Sequence, residues 1–180
     1  MQKTIRLIDR MNDMIGRSIS WLTVLMVIVT FLVVVLRYVF SSGWIAMQES
    51  IIYLHSIVFM LGIAYTLKLN GHVRVDIFYE RMTPRSRAWV DLLGVIFLLI
   101  PICLFIIVIS WNYVSLSWSL LESSRDAGGL PAVFLLKTTI PVMALLLMLQ
   151  GVAQGLRSIL LLTGQHPDAG ISSDEKTGNV

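Results

Sequence analysis

One ionisable residue, His55, lies deep inside a long apolar run of this 180-residue chain. An imidazole there could ligate haem, pass a proton or hydrogen-bond to a neighbouring helix. A haem held between helices ordinarily takes a second axial ligand, and His72 and His166 fall outside the apolar runs. Haem and metal binding are therefore disfavoured, and a hydrogen-bonded His55 is the better expectation. Arg37 and Glu49 flank the short connection 41–48. An antiparallel hairpin would bring them together as an interfacial salt bridge, although either charge could also reach water alone. Lys137 sits near the end of another apolar run, where a long side chain snorkels into the headgroups. Asp91 follows Arg87 by one helical turn, a spacing that suits an ion pair. Cys103 is the single cysteine, so one chain can form neither a disulfide nor a thiolate metal site. No nucleophile and base stand at workable spacing, and the pair Gly128-Gly129 is too little for a phosphate-cradling loop. Neither a catalytic centre nor a cofactor site is expected.

The elements that carry these residues are four apolar stretches, at about 15–40, 47–69, 89–111 and 134–162. Each exceeds the roughly 20 residues a helix needs to cross the hydrocarbon core. Lipid offers no partner for backbone N–H and C=O groups, so each stretch must satisfy its own as a helix. The expectation is an all-α integral membrane protein with a transmembrane domain over residues 15–163. Residues 1–14 carry Ile5, Ile8 and Met11 at helical spacing among Lys3, Arg6, Asp9, Arg10 and Asp13. They read either as an amphipathic segment in the headgroup plane or as the solvated first turns of a long helix. The second helix should end at Asn70-Gly71, with Gly71 in the left-handed cap conformation. Residues 72–82 would then hug the surface, until Thr83 caps a new helix with Pro84 in its first turn. Pro101 and Pro141 should bend the third and fourth helices. The third helix is expected to overhang the bilayer and break at Gly128-Gly129. Gly151 and Gly155 form a small-xxx-small patch for close helix approach, and Gln150 and Gln154 beside it could hydrogen-bond across that contact. From residue 164 to 180 the chain turns polar and is expected to be a disordered tail.

Composition narrows the function classes. With 56% hydrophobic and 14% charged residues, four spans leave no room for a soluble catalytic domain. The formal charge of +3 sits on residues flanking apolar spans, so anionic lipids and not nucleic acid are the expected partners. Lys3, Arg6, Arg10 and Arg17 precede the first span, and Lys68, Arg74, Arg81, Arg85 and Arg87 cluster around the second connection. The other connections offer little beyond Arg37, Arg125 and Lys137. The positive-inside rule then puts both termini and the middle connection in the cytoplasm. A carrier acting alone would need polar groups converging near the midplane, which these spans lack. An accessory subunit that braces a larger membrane partner fits better.

Arg37-Tyr38-Val39-Phe40, Glu49, Gly62-Ile63-Ala64 and above all Gly71-His72-Val73-Arg74-Val75-Asp76, in that order, resemble the small membrane subunit of tripartite ATP-independent periplasmic (TRAP) transporters. Leu130-Pro131 and Pro141 add to the likeness, which spans about residues 15–163. The resemblance implies a multi-pass protein of the bacterial inner membrane that pairs with a large multi-helix subunit. A periplasmic solute-binding protein would deliver the substrate, commonly an organic acid. The large subunit would hold the substrate and sodium sites and move elevator-fashion, with the small one as fixed scaffold and part of the docking surface. By position, Arg37 and Glu49 would be structural residues near the periplasmic edge. His72, Arg74 and Asp76 would order the cytoplasmic turn or contact the large subunit, against the plainer reading of lipid-headgroup binding. Two rivals stand beside this: a membrane anchor of a redox enzyme with His55 at haem or quinone, and a small homodimeric exporter. Absence of visible absorbance would remove the haem version of the first, and flux through the chain alone would support the second.

Overall fold

The computed structural model describes residues 1–72, 79 and 81–164, and the regular elements among them are all helical. In chain order they are α1 (Gln2–Tyr38), α2 (Ile45–Lys68), α3 (Pro84–Gly94), one π-helical turn (Val95–Leu99), α4 (Ile100–Ser119) and α5 (Val133–Leu162). The run Pro84–Ser119 is a single third span, so four helices are long and apolar enough to cross a membrane.

α1 is unbroken for 37 residues, about 55 Å of rod against a hydrocarbon core of about 30 Å. Residues 1–14 therefore enter the first span without a boundary. Their inner face is not solvated, because Ile5, Ile8 and Asn12 are buried, and the same face continues through buried Gly16 and Ile19. Thr83 caps α3 as its sequence predicts: Pro84 opens the helix and the Ser86 N–H donates to the Thr83 hydroxyl at 3.3 Å.

Helix ends depart from expectation in two places. At the end of α2 the left-handed residue is Asn70 (φ 54°), not Gly71. The Gly71 N–H reaches back to the Thr66 carbonyl at 2.9 Å and the Asn70 N–H to Leu67 at 3.1 Å, the paired bonds of a Schellman cap. Gly71 is the residue after the left-handed one, and a Cβ on it would lie 3.2 Å from Thr66 Cγ2. α4 ends at Ser119, well short of Gly128-Gly129. There Leu121 takes φ 43°, with Glu122 N–H bonded to Ser117 O at 3.0 Å and Leu121 N–H to Trp118 O at 3.2 Å. A bulky residue closes this helix because the connection beyond it is held in place from other elements.

Pro101 stands two residues past the π turn. Proline lacks the N–H that residue 97's carbonyl would accept, and the Ile100 N–H bonds to Val95 O, a turn widened by one residue. Pro141 is carried inside α5.

α5 is the central helix, in contact with α1, α2, α3, the π turn and α4. Its buried positions include Ala144, Gly151, Ala153, Gly155 and Ser158, small residues that let neighbouring backbones come close. α1 packs on α2 and α5, whereas the third span makes its principal contacts with α5. A Cβ on Gly155 would lie 3.5 Å from Val95 and one on Gly151 would collide with Leu99. The small-residue patch thus seats the π turn of the same chain. α1 and the third span keep much of their apolar surface exposed, whereas on α2 and α5 exposure is confined to a few positions.

Candidate functional site

Paired charges gather at the two ends of the bundle. Along α2, Glu49 and Lys68 stand 19 residues apart, about 28 Å of helix; along α5, Lys137 and Arg157 stand 20 apart, about 30 Å. Both intervals match one hydrocarbon thickness. These side chains mark where the bundle meets the two membrane surfaces.

At the end bearing the termini, α1 is pinned to its neighbours. Asp13 pairs with Lys68 of α2 and Asp9 with Arg157 of α5. Between them Asn12 Nδ2 donates to Gln150 Oε1 at 2.6 Å, and Gln150 Nε2 donates to Asp9 Oδ1 at 3.4 Å. Asn12 and Gln150 are 1% and 0% exposed, so each satisfies the other where water cannot. One turn further along, α1 presents Gly16 to the ring of Tyr65, and a Cβ there would come within 2.6 Å of it. On α3, Asp91 accepts from the Tyr79 hydroxyl at 2.8 Å, and the Arg87 guanidinium lies 5.1 Å over the Tyr79 ring. Lys3, Arg6, Arg10 and Arg17 all lie exposed on α1 while its two carboxylates turn inward, which leaves a basic outer face.

At the opposite end the connection between α4 and α5 folds onto two carboxylates. Glu49, on the first turns of α2, accepts the Leu130 N–H at 2.6 Å on one oxygen and the Ser124 hydroxyl on the other. A Cβ on Gly129 would sit 2.7 Å from Glu49 Oε1, so only glycine lets the carboxylate approach. Glu122 accepts Ser117 Oγ at 2.7 Å and the Lys137 ammonium, which lies 3.9 Å over the Tyr113 ring. Those two donors, Lys137 first, hold the Glu122 carboxyl below the usual carboxylate range. Ser124 N–H to Leu130 O (3.1 Å) and Val133 N–H to Glu122 O (3.1 Å) complete the fold of the connection.

The site residues read from the sequence fall unevenly on this frame. Glu49 lies at the end opposite the termini, but its carboxylate belongs to Ser124 and Leu130, so of the two readings offered for Arg37 the ion pair does not form, and Arg37 is exposed. Lys137 is ion-paired as well as interfacial. Gly151 and Gly155 receive the third span, and Gln150 bonds to α1. His72 is exposed, while Arg74 and Asp76 lie outside the described residues, as do His166 and residues 165–180. The Asp9, Asn12 and Asp13 contacts and the Glu122 cluster were not anticipated. A signal for the first was present: Asn12, Gly16 and Ser20 recur every four residues, the small and polar spacing of a membrane helix contact.

Among the described residues no group of three or more His, Cys, Asp or Glu could hold a metal ion. A groove of about 600 Å³ between α4 and α5, lined by Ile107, Trp111, Val114, Trp118, Pro141 and Leu145, offers hardly any polar atom to grip a solute. At both ends the carboxylates Asp9, Asp13, Glu49 and Glu122 are engaged by groups of the same chain. No curated protein and no solved structure matches the chain. The family model for the DctQ component of tripartite ATP-independent periplasmic transporters matches residues 26–161, well over half the sequence. The chain belongs to this DctQ family and is a transmembrane small-permease subunit of a TRAP transporter.

Proposed function

We propose that this protein is the non-catalytic scaffold of an organic-acid TRAP symporter in the bacterial inner membrane. It braces a large elevator-type subunit and offers part of the surface on which the periplasmic solute-binding protein docks. Both termini face the cytoplasm, following the excess of Lys and Arg at their end. The observation that carries this reading is the emptiness of the spans. No Asp, Glu, Lys or Arg lies within 18–36 of α1, 50–67 of α2, 92–121 of the third span and its extension, or 138–156 of α5. A carrier of charged solutes needs ionisable groups there, and a brace does not. The folded 120–132 connection is the candidate docking surface. The basic face of α1 contacts anionic lipid headgroups.

Liposome uptake tests the proposal. Vesicles holding this chain alone should show no sodium-coupled uptake, and those holding it with the large subunit and the binding protein should. Coupled uptake by the chain alone would overturn the scaffold role.

A further inference from the structure

α2 is the most enclosed of the first two spans, and its mid-span exposure narrows to a stripe of Ile52, His55 and Phe59, one or two turns apart on one face. His55 stands six residues past Glu49, about 9 Å below that surface, and 13 before Lys68, about 20 Å above the other. Its ring stacks on Phe59, centroids 6.2 Å apart with an interplanar angle of 17°. Among the described residues it has no hydrogen-bond partner. A Lys or Arg at this depth could snorkel to the headgroups, but an imidazole is attached one carbon from the backbone and cannot span more than a turn of helix. Left against acyl chains, its N–H would go unsatisfied in a medium with nothing to accept it. The flanking residues are a flat aromatic and a branched aliphatic, shapes suited to a helix laid along the stripe.

We infer that the Ile52, His55 and Phe59 stripe of α2 seats a transmembrane helix of the large transporter subunit. That helix presents a hydrogen-bonding side chain, such as Ser, Thr, Asn, Gln or a carboxylate, to the His55 imidazole. The inference rests on the small-subunit reading above and adds to it which face meets the partner. It also gives a structural role to the one deep ionisable residue without invoking haem.

The test co-expresses the full chain with the large subunit of its transporter. A photo-cross-linking amino acid, p-benzoylphenylalanine, is placed at position 55 in one variant and at exposed Val108 of the third span in another. Irradiation should join the two subunits at position 55 and far less at 108. His55→Leu should lower the yield of large subunit co-purified with this chain by about three- to tenfold, and His55→Gln should largely restore it. Cross-linking at 55 only to lipid or to a second copy of this chain, while the wild-type chain still co-purifies the large subunit, would overturn the seat and leave the small-subunit reading standing. Failure of the wild-type chain to co-purify the large subunit would overturn both.

Discussion

The two ends of the bundle are closed by different means. Where the termini lie, the closing groups sit on rigid helices, α1 against α2 and α5, and the contacts run side chain to side chain. At the other end, carboxylates from α2 and from the connection itself hold a connection between α4 and α5, partly through its backbone. Helix-borne pairs fix distances between spans. A connection pinned at a few atoms fixes a surface, whose exposed residues can be changed without unseating any helix. On the function proposed above, the first end is the brace and the second the docking surface. Residues 2–25 of α1 lie before the family match, yet they carry Asp9, Asn12, Asp13 and Gly16, so the match and the packed unit do not share a boundary.

The sharpest way to break the helix-borne frame is steric. Gly151→Leu would drive the third span off α5, because even a Cβ there meets Leu99. Overpacking of this kind costs about 1–3 kcal/mol or more, and the expected outcome is loss of monodisperse protein in detergent. Next, Asp9→Ala leaves Arg157 without its partner and Gln150 without one acceptor, about 1–3 kcal/mol read from thermal unfolding in detergent. A double-mutant cycle of Asn12→Ala with Gln150→Ala should give a coupling of about 0.6–2 kcal/mol; a value near zero would remove the polar lock from the frame.

The connection end should respond differently. Glu49→Ala should leave the co-purified complex intact and lower binding-protein-dependent uptake several-fold; equal loss of both would erase the contrast between the ends. Glu122 adds a pH test, because its carboxyl is held low by Lys137 and Ser117. A depressed carboxylate contributes stability above its unfolded value, about 4.3, and loses it as pH falls through the folded value. Protease protection of the 120–132 connection should therefore persist down to about pH 4 and fade below it, and Glu122→Gln should flatten that dependence. The smallest effect is a gain: Leu121→Gly relieves the left-handed backbone of an exposed leucine and should stabilise by about 0.5–1 kcal/mol.

What could be read from the sequence follows from range. Span existence and the start of α3 depend on local apolar length and on Thr83-Pro84, and both are visible in a single sequence. The Gly151 and Gly155 patch was legible as a contact because spacing alone announces it; that its partner is the π turn of the same chain was not. Glu49 was legible as an interfacial carboxylate, but its partners are 75 and 81 residues away, and the nearer Arg37 drew the assignment. The end of α4 was misjudged for the same reason. Local helix propensity continues past Ser119, and the helix closes in a left-handed cap at Leu121 whose neighbour Glu122 is held by Lys137, 15 residues further along. On α1 the apolar spacing picks out Ile5 and Ile8, which are buried, and Met11, which is half-buried; Asn12 and Gly16 complete the packed face because close packing in a membrane favours small and polar residues.

The third span's reliance on α5 has a consequence for biogenesis. The ribosome delivers Pro84–Ser119 before Val133–Leu162, so that segment must wait in lipid, its widened turn unmet, until the helix that receives it is made. Of the principal inter-span contacts only the hairpin of α1 and α2 can form beforehand. A nascent chain arrested before residue 133 should therefore hold one hairpin and one loose helix, prey for membrane proteases, and maturation becomes a single late event keyed to the synthesis of α5.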